Sequence, residues 1–220
     1  MDSIITLTDP TSPGAEAYRM LCVNLEFASV DEPVRTLLVT SSGPGEGKSS
    51  ALANLAVAMA DGDRNVILVD ADLRRPCQHE LFGLSNERGL SDMFRSEAVF
   101  NDPPLQSIPN STLKVLTSGP LPPIPSQLLA ARKMDQVIAH LSEQADVVLF
   151  DAPPLVAVTD ASLLASKVDA VLLVVKAGDT RRDHVRAAKD RLEKVNARLI
   201  GAVLLNAPFD AGLERYYSSQ

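Results

Sequence analysis

The sequence predicts an α/β fold of the P-loop NTPase type, a mainly parallel β-sheet flanked by helices on both faces. Three observations carry this. Apolar runs at 65–72, 147–151, 170–175 and 199–206 lack any alternation of polar and apolar residues, as expected of strands covered on both faces. Helix-forming stretches at 48–61, 132–144 and 181–197 alternate with those runs, the order from which a parallel sheet wrapped by helices is built. A further apolar run, Thr36 to Thr40, leads into the glycine-rich Ser41 to Ser50 and then into an alanine-rich helix. Strand, glycine-rich turn and helix together are the setting of a phosphate-binding loop.

In that loop, Gly45-Glu46-Gly47-Lys48-Ser49-Ser50 is expected to hold the phosphates of a nucleotide triphosphate. Gly45 and Gly47 let the backbone wrap closely round an anion, and the helix that follows adds its positive end. Lys48 is placed to reach the outer phosphates and the Ser49 hydroxyl to take a position on magnesium. The first glycine of the usual pattern is Ser42 here.

A chain of 220 residues with 45% apolar and 22% charged residues suits one folded domain with one core. The net charge of −7 argues against broad nucleic-acid binding, which needs a basic surface. Cys22 and Cys77 are isolated from each other and read as free thiols, not as a disulfide or zinc framework. No apolar run is long enough to span a bilayer, and the N-terminus lacks a basic region followed by a long apolar one. The expectation is a cytoplasmic protein whose membrane association comes through a partner.

The domain reading has three parts. Residues 1–35 form a helical flank, with a helix over Pro13 to Phe27 capped by Ser12. Residues 36–208 form the nucleotide-binding core, and 209–220 a tyrosine-containing tail. Within the core, 76–125 reads as an irregular insertion holding a short helix at 89–94 and a short strand at 113–116.

Asp70 and Asp72 lie two apart at the end of an apolar run and in extended backbone would face one side. Ligands of open parallel sheets lie beyond the carboxyl ends of the strands, where the phosphate loop also falls. Carboxylates beside a triphosphate need a divalent cation between them, and magnesium is the natural one. Asp151 ends another buried run, before Ala152-Pro153-Pro154, and is the expected second anchor. The basic pairs Arg74-Arg75 and Arg181-Arg182 are open between an anionic ligand and plain surface.

These pieces together resemble the bacterial tyrosine kinases of capsule and exopolysaccharide export systems. The matching stretches are Pro44 to Ser49, Asp70-Ala71-Asp72-Leu73-Arg74-Arg75-Pro76, Asp151 to Pro154, Glu16 to Arg19, Gly89-Leu90-Ser91 and Gly119 to Leu129. The resemblance runs from about residue 14 to 208. It implies phosphoryl transfer from ATP to tyrosine, with Ser49, Asp72 and Asp151 organising Mg2+, Lys48 holding phosphate, and Asp70 taking the phenolic proton. Such a proton acceptor is useful because a phenol with a pKa near ~10 is a weak nucleophile at neutral pH.

The resemblance further implies a membrane-anchored co-polymerase as activator and a homo-oligomeric ring. The third position of the family's Glu-x-x-Arg-x-x-Arg contact motif is Cys22 here, and the tail carries only Tyr216 and Tyr217 instead of a dense cluster. These two are the expected phosphoacceptors: ten residues from Asn206 span at most roughly 35 Å. Asn206 itself lies where relatives contact adenine. Two other readings stay open, a nucleotide-bound adaptor and an ATPase switch like the division-site and partitioning ATPases. The extra P-loop lysine of those ATPases falls at Gly43.

Overall fold

The computed structural model describes residues 4–62 and 64–207; Tyr216 and Tyr217 lie outside them. The chain opens with α1 (Ile5–Thr8) and α2 (Pro13–Ala28). Ser12 caps α2 by accepting a hydrogen bond from the Ala15 N–H, with Pro13 pre-set for the first turn. Both helices pack on the phosphate-loop helix α3 (Lys48–Ala60), which follows β1 (Thr36–Ser41). The Asn54 side-chain carbonyl of α3 accepts from the Thr6 N–H and hydroxyl at 3.0 and 3.1 Å, fastening α1 to it. On α2, Ala15, Cys22 and Leu25 face inward, whereas Met20, Val23 and Phe27 are exposed. Cys22, the third position of the contact motif, is therefore part of the core.

Next come β2 (Val66–Asp70), the short helices α4 (Gln78–Phe82), α5 (Leu90–Met93) and α6 (Glu97–Asn101), then β3 (Gln106–Ser107) and β4 (Leu113–Leu116). After α7 (Pro125–Ala130) and α8 (Arg132–Ser142) the chain enters β5 (Val147–Asp151), α9 (Asp160–Ala165), β6 (Ala170–Lys176), α10 (Arg182–Lys194) and β7 (Leu199–Leu205). The seven strands form one sheet in the order β3-β4-β2-β5-β1-β6-β7. Every pairing is parallel except β3 with β4.

Period-two alternation sends successive strand residues to opposite faces. Leu38, Ile67, Val69, Val148 and Phe150 pack against α5, α7, α8, α9 and α10. Leu37, Val39, Val66, Leu68 and Leu149 pack against α3 and the inner face of α2. The single core expected from length is thus two apolar layers separated by the sheet. The stretch 76–125 is also more than an insertion, since it supplies β4, which pairs with β2 inside the sheet. Among the described residues no helix is long and apolar enough to cross a membrane.

The loop after β4 and the start of α5 are threaded through one glycine. Leu90 and Ser91 donate to the Thr117 and Ser118 carbonyls at 2.8 and 3.0 Å, and the Asp92 carboxylate accepts from the Gly89 N–H. A Cβ on Gly89 would lie 2.1 Å from the Thr117 carbonyl oxygen and 2.3 Å from the Gly119 nitrogen. Both neighbours are backbone, so neither can turn aside as a side chain would. Gly89→Ala is expected to cost about 3 kcal/mol of stability in urea unfolding; a loss below about 1 kcal/mol would show that the two backbones are not held in contact.

Candidate active site

The strand order decides what meets. β2, β5 and β1 are adjacent, so their carboxyl ends deliver Asp70, Asp151 and the phosphate loop to one place, as expected of an open parallel sheet. Asp70 and Asp151 are direct register partners across β2 and β5. The segment after β5 is stitched to the loop: Ala152, Leu155 and Val156 donate to the carbonyls of Val39, Ser41 and Ser42, and the Thr40 hydroxyl donates to the Pro153 carbonyl.

In the loop Gly45 and Gly47 adopt φ of 75° and 81°, the left-handed region open to glycine. Gly47 also runs close to β7, where a Cβ would meet the Leu205 side chain at 3.0 Å. Ser42, in place of the usual glycine, donates its hydroxyl to the Glu46 carboxylate at 2.9 Å, and its N–H donates there as well at 3.0 Å. The Glu46 side chain therefore braces the loop from inside, and what Glu46 offers a ligand is its backbone.

Lys48 opens α3 with its ammonium group buried among oxygens. Its Nζ stands 2.9 Å from Asp151 Oδ1, 3.0 Å from Asp72 Oδ2 and 2.9 Å from Ser49 Oγ. Burial by itself would lower the lysine pKa, but the Asp151 and Asp72 carboxylates outweigh it and hold the group well above its ordinary value.

Of the two aspartates of the Asp-x-Asp motif only Asp70 lies within a strand. β2 ends at Asp70, and Asp72 lies in the turn beyond it, where its Oδ1 accepts from the Arg74 and Arg75 N–H groups at 3.3 and 3.1 Å. With Oδ1 held by the turn, Asp72 Oδ2 is the oxygen that faces Lys48.

Asp70 is fully buried. Its Oδ2 accepts from the Cys77 and Gln78 N–H groups at 3.0 and 2.9 Å, and its Oδ1 has no hydrogen-bond partner. Burial first, and then the neighbouring Asp151 charge, push its pKa up to about 8 against the pull of the Gln78 N–H and Lys48.

Gln78 was not among the residues singled out from sequence. Its side-chain amide donates to Asp151 Oδ2 at 2.7 Å and to the Ser49 carbonyl at 3.2 Å, so it fixes the face that Asp151 turns to Lys48. A lone glutamine in a short helix carries no sequence signal. The Arg74-Arg75 pair divides: Arg74 is bound to the buried Asp160, and Arg75 lines the cavity at the loop.

That cavity, about 300 Å³, runs along Pro44 to Ser50 and takes in Asp72, Arg75, Cys77 and Pro154. A second one, about 500 Å³, shares Gly45 to Gly47 and Ser50 with it and extends to Tyr18, Lys176 and Asn206. Asn206 has φ of 54°, so it turns the chain and also lines this cavity. Glycine-rich backbone thus separates a pocket bordered by Asp72 and Arg75 from a roomier one ending at Asn206.

Residues 33–206 match the protein family described as "ParA: NUBPL iron-transfer P-loop NTPase". The chain is 39% identical to the tyrosine-protein kinase YwqD of Bacillus subtilis, over 92% of this chain and 85% of that protein. It is 34% identical to the putative tyrosine-protein kinase CapB of Staphylococcus aureus, over 94% of this chain and 91% of that one. The kinase domain of the Escherichia coli tyrosine kinase Etk superposes with a TM-score of 0.89 at 33% identity, covering 94% of this chain and 81% of that domain. With identity of this level spread over nearly the whole length, and with the phosphate loop, Asp-x-Asp turn and Asp151 meeting at one site, the chain belongs to the bacterial tyrosine-kinase family of P-loop NTPases.

Proposed function

We propose that the chain transfers the γ-phosphoryl group of ATP to tyrosine hydroxyls, its own Tyr216 and Tyr217 among them, with 36–208 as the catalytic core and 209–220 as the acceptor tail. One observation carries this reading most. The phosphate-loop lysine meets two strand-end aspartate segments within 3.0 Å, beside a third aspartate whose free oxygen accepts nothing.

The loop N–H groups from Gly45 to Ser50 and the N-terminus of α3 bind the phosphates, and the cavity ending at Asn206 has room for the nucleoside. The three N–H donors of Lys48 are taken by Asp72, Asp151 and Ser49, so it can donate to phosphate only by giving up part of this hold, and we propose that it yields on the carboxylates. Doing so leaves both carboxylates and the Ser49 hydroxyl, all hard oxygen donors, for Mg2+. Among the described residues no group of three or more His, Cys, Asp or Glu is arranged to hold a metal. Few protein ligands suit magnesium, which keeps waters and phosphate oxygens in its shell. When bound, it would offset the charge on the transferred group.

Asp70 is the candidate general base. The attacking phenol oxygen bonds to the γ-phosphorus, the bond to the ADP oxygen breaks, and the phenolic proton passes to Asp70 Oδ1. The upward shift makes the ionised carboxylate a stronger base than an ordinary aspartate, and a cation bound beside it would favour that ionised form.

The resemblance to the tyrosine kinases of capsule and exopolysaccharide export systems supports an activity tied to that synthesis. A membrane-anchored co-polymerase acting as activator at the inner face of the membrane, and a homo-oligomer, belong to the same proposal. The exposed apolar face of α2 supports the last of these.

Phosphopeptide mass spectrometry after incubation with ATP and magnesium is expected to find phosphate on Tyr216 or Tyr217 that Lys48→Met abolishes. No phosphotyrosine, even with the cytoplasmic segment of a membrane partner added, would overturn the kinase reading. Asp70→Asn is expected to lower kcat by about 100-fold with ATP affinity within about threefold of the parent. An unchanged kcat would remove Asp70 from the chemistry.

A further inference from the structure

The turn that carries Asp72 is fastened at one point far away in sequence. The Arg74 guanidinium forks onto Asp160, Nε to Oδ2 at 2.8 Å and Nη2 to Oδ1 at 3.0 Å. Asp160 is wholly buried, while the arginine side chain is 41% exposed. Asp160 is the first residue of α9, the helix reached by the loop that leaves Asp151, and α9 packs on β1 and α7. The fork therefore ties the Asp72 turn to the segment that begins with Asp151 and is stitched to the phosphate loop.

Between fork and carboxylate the coupling is short. The Arg74 N–H and its neighbour Arg75 both donate to Asp72 Oδ1, which leaves Oδ2 directed at Lys48, 3.0 Å away. A shift of the Arg74 backbone would turn both N–H groups and swing the carboxylate. A bidentate guanidinium–carboxylate pair fixes orientation as well as distance. Burying an aspartate is costly unless it is paired, and the fork supplies that pairing for Asp160.

We propose that Arg74 and Asp160 form a latch that sets the orientation of Asp72 for divalent-cation binding, both acting as positioning residues for the nucleotide site. This rests on the reading of Asp72 as a magnesium ligand. Neither residue lines the cavities at the phosphate loop; they act through the turn. Groups that orient a metal ligand are commonly worth about 10- to 100-fold in metal affinity.

The test uses the full chain and a fluorescent ATP analogue, titrated once with EDTA and once with magnesium, with thermal unfolding followed in parallel. The wild-type chain is expected to bind tighter with magnesium; no such gain would overturn the magnesium reading of the site itself. Given that gain, Arg74→Gln is expected to reduce it by about tenfold or more while affinity in EDTA stays within about twofold. Loss of the buried aspartate's partner also threatens folding, so a second variant separates the effects. Arg74→Met with Asp160→Leu removes charge and partner together. It is expected to restore the unfolding midpoint without restoring the magnesium-dependent gain. A gain within about threefold of wild-type in Arg74→Gln, or its recovery along with stability in the double variant, would overturn the latch.

Discussion

The structure turns on one buried charge cluster, the Lys48 ammonium between the Asp72 and Asp151 carboxylates, with Asp70 beside Asp151 in register. One cation faces three buried acids, and a buried charge is tolerated only when paired or well hydrogen-bonded. Each acid has its own relief. Asp72 takes the N–H groups of its turn, Asp151 takes the Gln78 amide, and Asp70 takes two N–H groups at the start of α4. The remaining deficit falls on Asp70, whose pKa is driven up to about 8. A site built this way favours an added cation, and that cation would draw Asp70 toward the ionised form that can take a proton. Both are what phosphoryl transfer to a phenol asks for.

The sheet makes this cluster feasible. Because β5 lies between β2 and β1, Asp70, Asp151 and the phosphate loop arrive at neighbouring strand ends with no long side chain needed to bridge them. α3 is buried along nearly its whole length, covered by the sheet on one side and by α2 on the other. The loop thus sits on a rigid base, and α1 and α2 take part in that rigidity through Asn54 and the inner face of α2.

Much of this was legible in sequence because it is local. The uninterrupted apolar runs mark the strands, the glycines and Lys48 mark the loop, and the aspartates mark strand ends. What failed to show is non-local. Strand order cannot be read from periodicity, so the direct register pairing of Asp70 with Asp151 did not show, although both were expected at one site. The apolar run 65–72 put Asp72 at a strand end, whereas β2 ends at Asp70 and the Arg74 and Arg75 N–H groups turn onto the Asp72 carboxylate. The prolines around 103–125 made that stretch look like an insertion, although Leu113 to Leu116 pair with β2. Ser42, Gln78 and Asp160 acquire meaning only through partners: Glu46 four positions on, Asp151 73 positions away and Arg74 86 positions away.

Kinship with the bacterial tyrosine kinases and the geometry of the charge cluster converge on one claim: Lys48 exchanges its carboxylate partners for phosphate when nucleotide binds. A crystal structure with magnesium and a non-hydrolysable ATP analogue tests it most directly. The account predicts Lys48 Nζ on phosphate oxygens and beyond the ~4 Å ion-pair limit from at least one of Asp72 and Asp151, with magnesium on Ser49, Asp72 or Asp151. Nucleotide bound while Lys48 keeps both aspartates at their present distances, or bound away from the loop, would contradict it.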